Sequence, residues 1–465
     1  MQYLFHNATL CVLPPPLLFR VLLPCQFGFL TKIKCFSNVS NFRKPTTHTE
    51  KPIFLTPQTS FMFNLSRKSA IGLIFLKSHN YFLYVIICLS LVYLTGCSTP
   101  PAWIRLRGDN NNSGSSDNLL PGTKIIWTNS QGNFLSTAVF GSKGSLVYFN
   151  GINNQIIQAD AKTGATLHSF TGGAAFDAPP VISDTYVIAG CEDGKLYNLN
   201  SSDLSLRWAT AVNGKIFGSP FVSGGIYAGT DAGKFYSFDF GGNISWQFQA
   251  GGAITSSPLI TNDGTIVFGS QDGYLYGLDQ SGNLKWKTQL GGSIQASPAY
   301  SYKSDNIYIG SSNGTFYAVR PNGAISWSLP TGAAFTDRNS AAVVAGYFGG
   351  ITDRVFFGND NGDLYLYESN STNVKAFIAK FSSSGRVFAS PAVENNGTDA
   401  ILCMYGRMLH LTVTKTPPGS PALFQFTTTS SVSFSDDGAS ILASPSINND
   451  GTIFVSTNTG LRAIQ

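Results

Sequence analysis

The side chains that could carry catalysis or bind a metal are few and lie far apart in the sequence. The chain has 465 residues but only seven cysteines and five histidines. Beyond residue 97 these are Cys191, Cys403, His168 and His410. Their spacing matches neither a metal site nor a nucleophile with its base, and the two cysteines are not adjacent. The residues therefore predict no catalytic centre, no metal site and no cofactor.

One segment has the composition of a calcium loop, because Asn359-Asp360-Asn361-Gly362-Asp363 alternates oxygen-bearing side chains around a glycine. Asx-Gly or a close relative, however, precedes an aromatic-containing strand at the same place elsewhere in the chain: Asp193-Gly194, Asp272-Gly273 and Asn313-Gly314. Asx-Gly supplies the positive φ that a type I′ hairpin turn requires. We therefore interpret the segment as a turn and not as a metal site.

These residues are embedded in a repeat, of which Ala253–Gly292 is the clearest copy. Turn-forming sequences divide it into four β-rich runs: Ser256–Ile260, Thr265–Gly269, Tyr274–Leu278 and Leu284–Thr288. Its Ser-Pro step has counterparts near Ala138, Pro180, Pro220, Pro258, Pro298, Ala341, Pro391 and Pro445. A four-strand unit that recurs about every 40 residues is typical of a β-propeller. We predict an all-β propeller with eight blades, seven being the alternative.

The two ends of the repeat array complement each other. Lys124–Trp127, with Gly132 after it, matches the fourth strand of a unit but has no preceding strands, and the last unit stops after Leu461–Ile464 without a fourth strand. We expect the N-terminal strand to complete the last blade and close the ring. Cys191 and Cys403 occupy one position in the second and seventh units, so a disulfide between them would have to cross the ring. We expect buried free thiols.

Aromatic residues recur at fixed places in the units. Tyrosines fall in the third strand at 197, 236, 276, 317 and 365, and tryptophans in the fourth strand at 208, 246, 286 and 327. Identical placement in each unit predicts packing between blades and not a ligand-stacking site. The sixth and seventh units are longer, with the extra residues in Ala345–Asp353, Ser369–Asn373 and Val413–Ala422. These are either recognition loops or tolerated insertions.

The first 122 residues are of a different kind. Residues 1–61 form a doubtful or disordered extension, and Met62 is an alternative start to Met1. Residues 62–96 have the basic start and the apolar run, Tyr81–Leu94, of an export signal. Leu94-Thr95-Gly96-Cys97 resembles the lipobox of bacterial lipoproteins, which implies cleavage before Cys97 and acylation of its thiol. Residues 97–122 then form a flexible linker, and 123–465 the propeller.

Charge excludes nucleic acid as a partner. Residues 1–96 carry nine of the 30 basic side chains and one of the 25 acidic ones, so residues 97–465 hold 21 basic and 24 acidic groups. A slightly acidic domain has no surface that attracts a phosphate backbone.

Several motifs resemble those of quinoprotein-like propellers with pyrroloquinoline-quinone-type repeats. Trp103 to Gly108 is similar to the segment that precedes such propellers, and Ala159–Gly164 and Tyr276–Asp279 are similar to their blade-docking motif. Enzymes of this kind use adjacent cysteines, a calcium ion and a catalytic aspartate over the quinone, a set that is not recognisable here. The resemblance therefore implies a non-catalytic member.

Within that family, the combination of lipobox, linker and one ring is similar to the propeller lipoproteins of the outer-membrane β-barrel assembly machinery. This likeness implies a protein-binding scaffold at the bacterial outer membrane, facing the periplasm. Loops on one rim would contact the central barrel subunit, and exposed blade edges would accept a client strand. Two alternatives stay open: a propeller that binds a quinone or sugar or acts as a quinoprotein-like enzyme, and a surface adhesin.

Overall fold

The structure, a computed structural model, describes residues 123–132, 136–141, 143–336, 353–369, 374–382, 390–394, 399–404, 407–415, 424–434, 441 and 443–465, and the backbone of the strands at 74–78, 81–85, 115–116 and 343–346. The chain divides into two units, Met1–Thr95 and Gly96–Gln465. The first contains one described hairpin, Ile74–Ser78 with Tyr81–Val85, within the predicted export signal. The predicted extension at 1–61 and Cys97 lie outside the described residues. Over the described part of the chain, no helix is long and apolar enough to cross a membrane.

The second unit is a propeller of eight antiparallel sheets, which confirms the predicted fold and blade number. We number the blades in chain order and count each blade's strands from its first in sequence, with the strand bounds as follows: blade 1, Val139–Phe140, Leu146–Gly151, Gln155–Asp160 and Thr166–Thr171; blade 2, Val181–Ile182, Tyr186–Gly190, Lys195–Asn200 and Leu206–Ala211; blade 3, Phe221–Val222, Ile226–Gly229, Lys234–Phe238 and Ile244–Gln249; blade 4, Leu259–Ile260, Ile266–Gly269, Tyr274–Leu278 and Leu284–Gln289; blade 5, Ala299–Ser301, Asn306–Gly310, Thr315–Val319 and Ile325–Pro330; blade 6, Val343–Gly346, Asp353–Gly358, Asp363–Ser369 and Val374–Ser382; blade 7, Ala392–Glu394, Asp399–Met404, Arg407–Lys415 and Phe424–Ser433; blade 8, Ser446–Ile447, Ile453–Thr457, Gly460–Ile464 and, as its fourth strand, Ile125–Asn129.

The antiparallel order gives the ring two faces. First strands of several neighbouring blades approach one another, so they line the central channel. Turns between the first and second strands, and between the third and fourth, open on one side, which we call the front face. Turns between the second and third strands, and the links to the next blade, lie on the back face.

The first strands are shorter than predicted. In blade 4 the first strand is Leu259–Ile260 rather than Ser256–Ile260, whereas the third strand has the predicted bounds, Tyr274–Leu278. Pro258 has no N–H for a sheet ladder. The hydroxyl of the preceding serine instead joins blades, because Ser257 Oγ accepts the Ser219 N–H at 2.8 Å and Ser297 Oγ accepts the Ser257 N–H at 2.9 Å.

The N-terminal strand closes the ring as predicted. Ile125–Asn129 pairs antiparallel with Gly460–Ile464, and Gln465 exchanges backbone hydrogen bonds with Lys124. The Trp127 ring lies edge-on to Phe454, with 5.4 Å between ring centroids. The two ends of the propeller sequence therefore share one sheet and one core.

The repeated tryptophans dock each blade on the next, which confirms their predicted packing role. The indole N–H of Trp246 donates to the carbonyl of Gln280 at 2.9 Å, in the front turn of the following blade. Its ring packs on Gly282, which has φ +85° and where a Cβ would come within 2.6 Å of the indole. Glycine is the residue that satisfies both the left-handed backbone and this close approach. The same arrangement links Trp127 to Ala161, Trp208 to Phe240 and Trp286 to Pro321.

Blade 1 has His168 where blades 2 to 5 and blade 8 have tryptophan, and it docks differently. His168 is exposed and pairs with Gln158 in the sheet. Gln158 Nε2 and the Tyr148 hydroxyl donate instead to the Ser201 carbonyl, at 2.6 and 2.9 Å. A buried amide and phenol thus supply the hydrogen bonds that an indole supplies elsewhere.

The third-strand tyrosines also lie between blades. Tyr276 lies edge-on to Phe248 of blade 3, with 5.7 Å between ring centroids, and its hydroxyl donates to Asp272 Oδ2 at 2.5 Å. The Gly251 N–H, from the end of the preceding blade, donates to the same carboxylate at 3.0 Å. The predicted packing role of these residues is therefore confirmed for Tyr276.

Two expectations need correction. In the Asn359–Asp363 turn the Gly362 N–H donates to the Asn359 carbonyl at 3.0 Å, and only Gly362 has a positive φ, +85°. This is a type I turn with a following left-handed glycine, not a type I′ turn. In blade 7, Val413–Lys415 extends the third strand and is not part of an inserted loop. β-Branched residues favour that extension, and Thr414 bonds to Thr427 across the sheet.

Candidate partner-binding surface

The residues that suggested chemistry do not form a common site. Cys191 and Cys403 are buried free thiols, and burial raises the pKa of Cys191 to about 11. His168 is exposed in blade 1 and His410 is buried in blade 7. Among the described residues, no group of three or more His, Cys, Asp or Glu is placed to hold a metal ion.

In the possible calcium loop, Asn359–Asp363, the first side-chain oxygen already takes part in the hydrogen bonds of the turn. Asn359 Oδ1 accepts the N–H groups of Asn361 and Asp363, each at 3.1 Å. Asp363 Oδ2 lies 3.0 Å from Lys380 Nζ. Burial opposes ionisation of Asp363, but bonds from Ser382 and Lys380 outweigh it and lower its pKa. These contacts support the interpretation as a turn.

His410 has partners that the sequence analysis did not anticipate. Its Nδ1 lies 2.6 Å from Thr429 Oγ1, and its Nε2 lies 3.4 Å from Asp399 Oδ1. The Thr412 hydroxyl donates to the same Asp399 oxygen at 2.6 Å. The spacing in the sequence did not reveal these partners, and the structure places the Thr429 hydroxyl beside His410. Thr429 also donates to the His410 main-chain carbonyl at 3.3 Å, so this cluster joins three neighbouring strands of blade 7.

The front face of blades 3 to 5 carries two concave sites. The first, between blades 3 and 4, has a volume of about 440 Å³ and is lined by Tyr227, Trp246, Asp239 and Gln280, among others. The second, between blades 4 and 5, has a volume of about 390 Å³ and is lined by Asn262, Asp263, Asp305, Arg320, Pro321 and Asn322. We call this region the front patch and include in it the exposed Phe240 and Tyr302.

The first pocket arises from a short turn. Blade 3 joins its first two strands through Ser223-Gly224-Gly225, and nothing lies within 4 Å of a Cβ placed on Gly224. In blade 4 the corresponding turn is longer, and Lys285 Nζ lies across it, 2.9 Å from Asp263 Oδ2. Because the turn in blade 3 is shorter, the space above Tyr227 and Trp246 is open.

The second pocket carries a fixed charge. Burial alone would raise the pKa of Asp263, but hydrogen bonds from Thr261, Lys285 and Thr265 outweigh it and lower that pKa to about 2. The carboxylate is therefore ionised at any physiological pH.

Two aromatic side chains project beside these pockets. Phe240 is 49% exposed and Tyr302 is 51% exposed, in front turns of blades 3 and 5. Large exposed aromatic residues beside concave, partly polar sites are characteristic of surfaces that bind other proteins. The sequence analysis missed the patch, and the only local signal for it was the shortened Gly224-Gly225 turn.

Fold, repeat and docking pattern together define the class: an eight-bladed propeller built from pyrroloquinoline-quinone-type repeats. The family model for the outer membrane protein assembly factor BamB matches residues 120–215 and 209–394, more than half of the chain. The chain belongs to this family, and the family resemblance noted from its motifs is confirmed.

Two solved structures with TM-scores above 0.5 agree with this fold. The computationally designed Ika8 protein matches with TM-score 0.58 at 13% identity, over 74% of this chain and 99% of that one. The C-terminal WD40 domain of Sif2 matches with TM-score 0.58 at 15% identity, over 74% and 98%. BamB from Moraxella catarrhalis matches with TM-score 0.48 at 18% identity, over 61% and 81%. No protein with a curated function matches in sequence.

Proposed function

We propose that the protein is a non-catalytic, lipid-anchored scaffold of the bacterial envelope that binds a protein partner during assembly of outer-membrane proteins. Membership of the family of an outer-membrane assembly factor supports this function. The main structural observation behind this proposal is the front patch, because it is a specific surface on which a partner protein can bind.

The patch combines the parts that a protein interface uses. Phe240 and Tyr302 provide exposed aromatic area, and the two neighbouring pockets can receive side chains of a partner. Asp239 and Asp305 add polar groups at the edges of these pockets. Such a surface holds a partner by contact alone and needs no reactive group.

The anchor is part of the proposal. Residues 62–96 act as the export signal, Cys97 is acylated, and residues 97–122 tether the propeller to the outer membrane on its periplasmic side. Several acyl chains on one residue provide stable anchoring, which a single chain does not.

The binding proposal is tested by crosslinking in intact cells, followed by isolation of the protein and identification of the barrel subunit of the assembly machinery. Phe240→Ser with Tyr302→Ser removes two half-exposed aromatic rings, which contact Tyr186 and Tyr300, so the propeller should remain folded. Truncating an interface anchor costs about 2 kcal/mol or more, and about 1.4 kcal/mol is tenfold in affinity, so the crosslink should fall at least about tenfold.

Ile152→Ser is the matched control, since Ile152 is 50% exposed in a back-face turn of blade 1. It should leave the crosslink unchanged. Equal crosslinking by the double variant and the control would reject the front patch as the binding surface. Absence of any crosslink to the barrel subunit in the native protein would reject the partner.

The anchor is tested separately by mass analysis of the N-terminal peptide from membranes. An acylated peptide beginning at Cys97 is expected. An uncleaved chain, or one released to the soluble fraction, would contradict the anchor but not the binding surface. Protease treatment of whole cells tests the adhesin alternative, in which the propeller would be degraded, and a ligand that co-purifies would favour the small-molecule alternative.

A further inference from the structure

Blade 7 has a fifth strand, and that strand comes from the segment before the propeller. Ser115–Ser116 pairs in parallel with the inner strand of the blade, with Ser115 opposite Val393 and Ser116 opposite Glu394. It also lies within 8 Å of the inner strand of blade 6, Val343–Gly346, measured between Cα atoms. Among the described sheets of the ring, blade 7 alone has an added strand on its channel edge.

Its direction is informative. A first strand runs from the back face to the front face, and Ser115–Ser116 is parallel to one. The chain after Ser116 is therefore directed to the front face, where the closing strand begins at Ile125. Eight residues lie between Ser116 and Ile125, and a chain reaches at most about 3.3–3.6 Å per residue step, roughly 30 Å here. Crossing a blade from an added inner strand to the fourth strand covers four strand spacings of about 4.8 Å, and Ile125 lies in the adjacent blade 8.

The inner strands of blades 6 and 7 are suited to accept another strand. They span four and three residues; the first strand of blade 5 also spans three, and those of blades 1 to 4 and of blade 8 span two. A longer inner strand presents more unpaired backbone N–H and C=O groups towards the channel. The accepted strand, Ser115-Ser116, has only small residues.

We propose that the inner edge of blade 7 is a strand-acceptor surface inside the channel, and that the chain's own tether occupies it at Ser115–Ser116. The chain before Ser115 then leaves on the back face. Given the proposed acylation of Cys97, on which this last step rests, the back face is turned towards the membrane and the front patch away from it.

A cysteine pair tests the occupancy directly. Neighbouring strands are about 4.8 Å apart and disulfides join Cα atoms about 4.4–6.8 Å apart, so Ser116→Cys with Glu394→Cys should oxidise to an intramolecular disulfide. The test uses full-length protein carrying Cys97→Ser, so it does not depend on acylation. The four cysteines before residue 97 are also replaced by serine, Cys191 and Cys403 are buried and should not compete, and peptide mapping by mass spectrometry identifies the bond formed.

The matched control is Ser116→Cys with Val222→Cys, because Val222 lies on the inner strand of blade 3. Most of the first variant and little of the control should be crosslinked. Equal yields, or no disulfide between positions 116 and 394, would overturn the proposal.

A second variant provides an independent readout. Ser116→Pro removes a backbone N–H and should speed hydrogen exchange at 392–394 several-fold without unfolding the ring. Unchanged exchange there would also count against the proposal. The two proposals can fail separately. If the disulfide forms but Cys97 of the native protein is found to be unacylated, the strand-acceptor site is supported and the lipid anchor of the proposed function is rejected.

Discussion

Replacing Trp127 with alanine should open the ring at its closure. Trp127 packs on Phe454, its indole N–H donates to the Ala161 carbonyl at 3.2 Å, and its ring covers Gly164. A fully buried tryptophan replaced by alanine costs about 3–5 kcal/mol. Trp127 is only half-buried, which places the expected loss near the lower limit, about 3 kcal/mol with the lost hydrogen bond included.

The position in the chain at which protection is lost distinguishes a role of Trp127 in ring closure from a general loss of stability. Trp286→Ala is the matched control, because Trp286 donates to the Pro321 carbonyl and packs on Gly323 in the same way, between two blades inside the array. Both variants should be destabilised by similar amounts. Only Trp127→Ala should release the fourth strand of blade 8, because that strand alone comes from the other end of the propeller sequence.

Hydrogen exchange measured by peptide mass spectrometry separates the two cases. In Trp127→Ala, amides of 125–129 and 460–464 should exchange about 100-fold faster, since about 1.4 kcal/mol is tenfold in an opening equilibrium. In Trp286→Ala they should keep their native protection. Equal acceleration of these amides in both variants would refute the idea that Trp127 secures a separate closure.

Three further predictions concern buried polar groups. Gln158→Leu leaves the Ser201 carbonyl with one donor fewer and should lower the free energy of unfolding by about 1–3 kcal/mol, measured with denaturant. His168→Ala is the control, because His168 is exposed and its replacement should change that free energy by about zero. Equal effects of the two variants would contradict the docking role of Gln158. Burial raises the pKa of Asp353, so ionisation of Asp353 disfavours the folded state as pH rises from the ordinary carboxyl pKa through the raised one. The free energy of unfolding of the native protein minus that of Asp353→Asn should therefore fall over that pH range. A difference that stays constant with pH would refute this assignment. Burial also raises the pKa of Cys191 and Cys403, so native protein should resist iodoacetamide at pH 8 while unfolded protein reacts at both thiols; rapid labelling of folded protein would contradict their burial.

Local sequence signals predicted the parts of the fold that depend on neighbours in the chain. The third strand of blade 4 has the predicted bounds, Tyr274–Leu278, because a Gln-Asp-Gly turn precedes it and a Gln-Ser-Gly-Asn turn follows it. First strands were predicted too long, since the serine before each proline bonds to another blade. A pattern within one unit does not reveal that partner about 40 residues away.

Side chains that act between blades were harder to predict. Gln158 takes over the role of a tryptophan only because Tyr148 and the Ser201 carbonyl lie beside it. His410 gained Asp399 and Thr429 as neighbours through the register of three strands. Neither relation has a signal in the spacing of the residues concerned.

The sequence by itself determined the propeller, its eight blades and its closure by an N-terminal strand. A repeat of four strands must bury its faces against copies of itself, and an orphan strand matches a missing one. Only the tertiary structure decided where front turns of adjacent blades leave pockets beside Phe240 and Tyr302, and which inner edge receives Ser115–Ser116. Those features depend on distances between separate blades, which turn chemistry and strand periodicity within a blade do not specify.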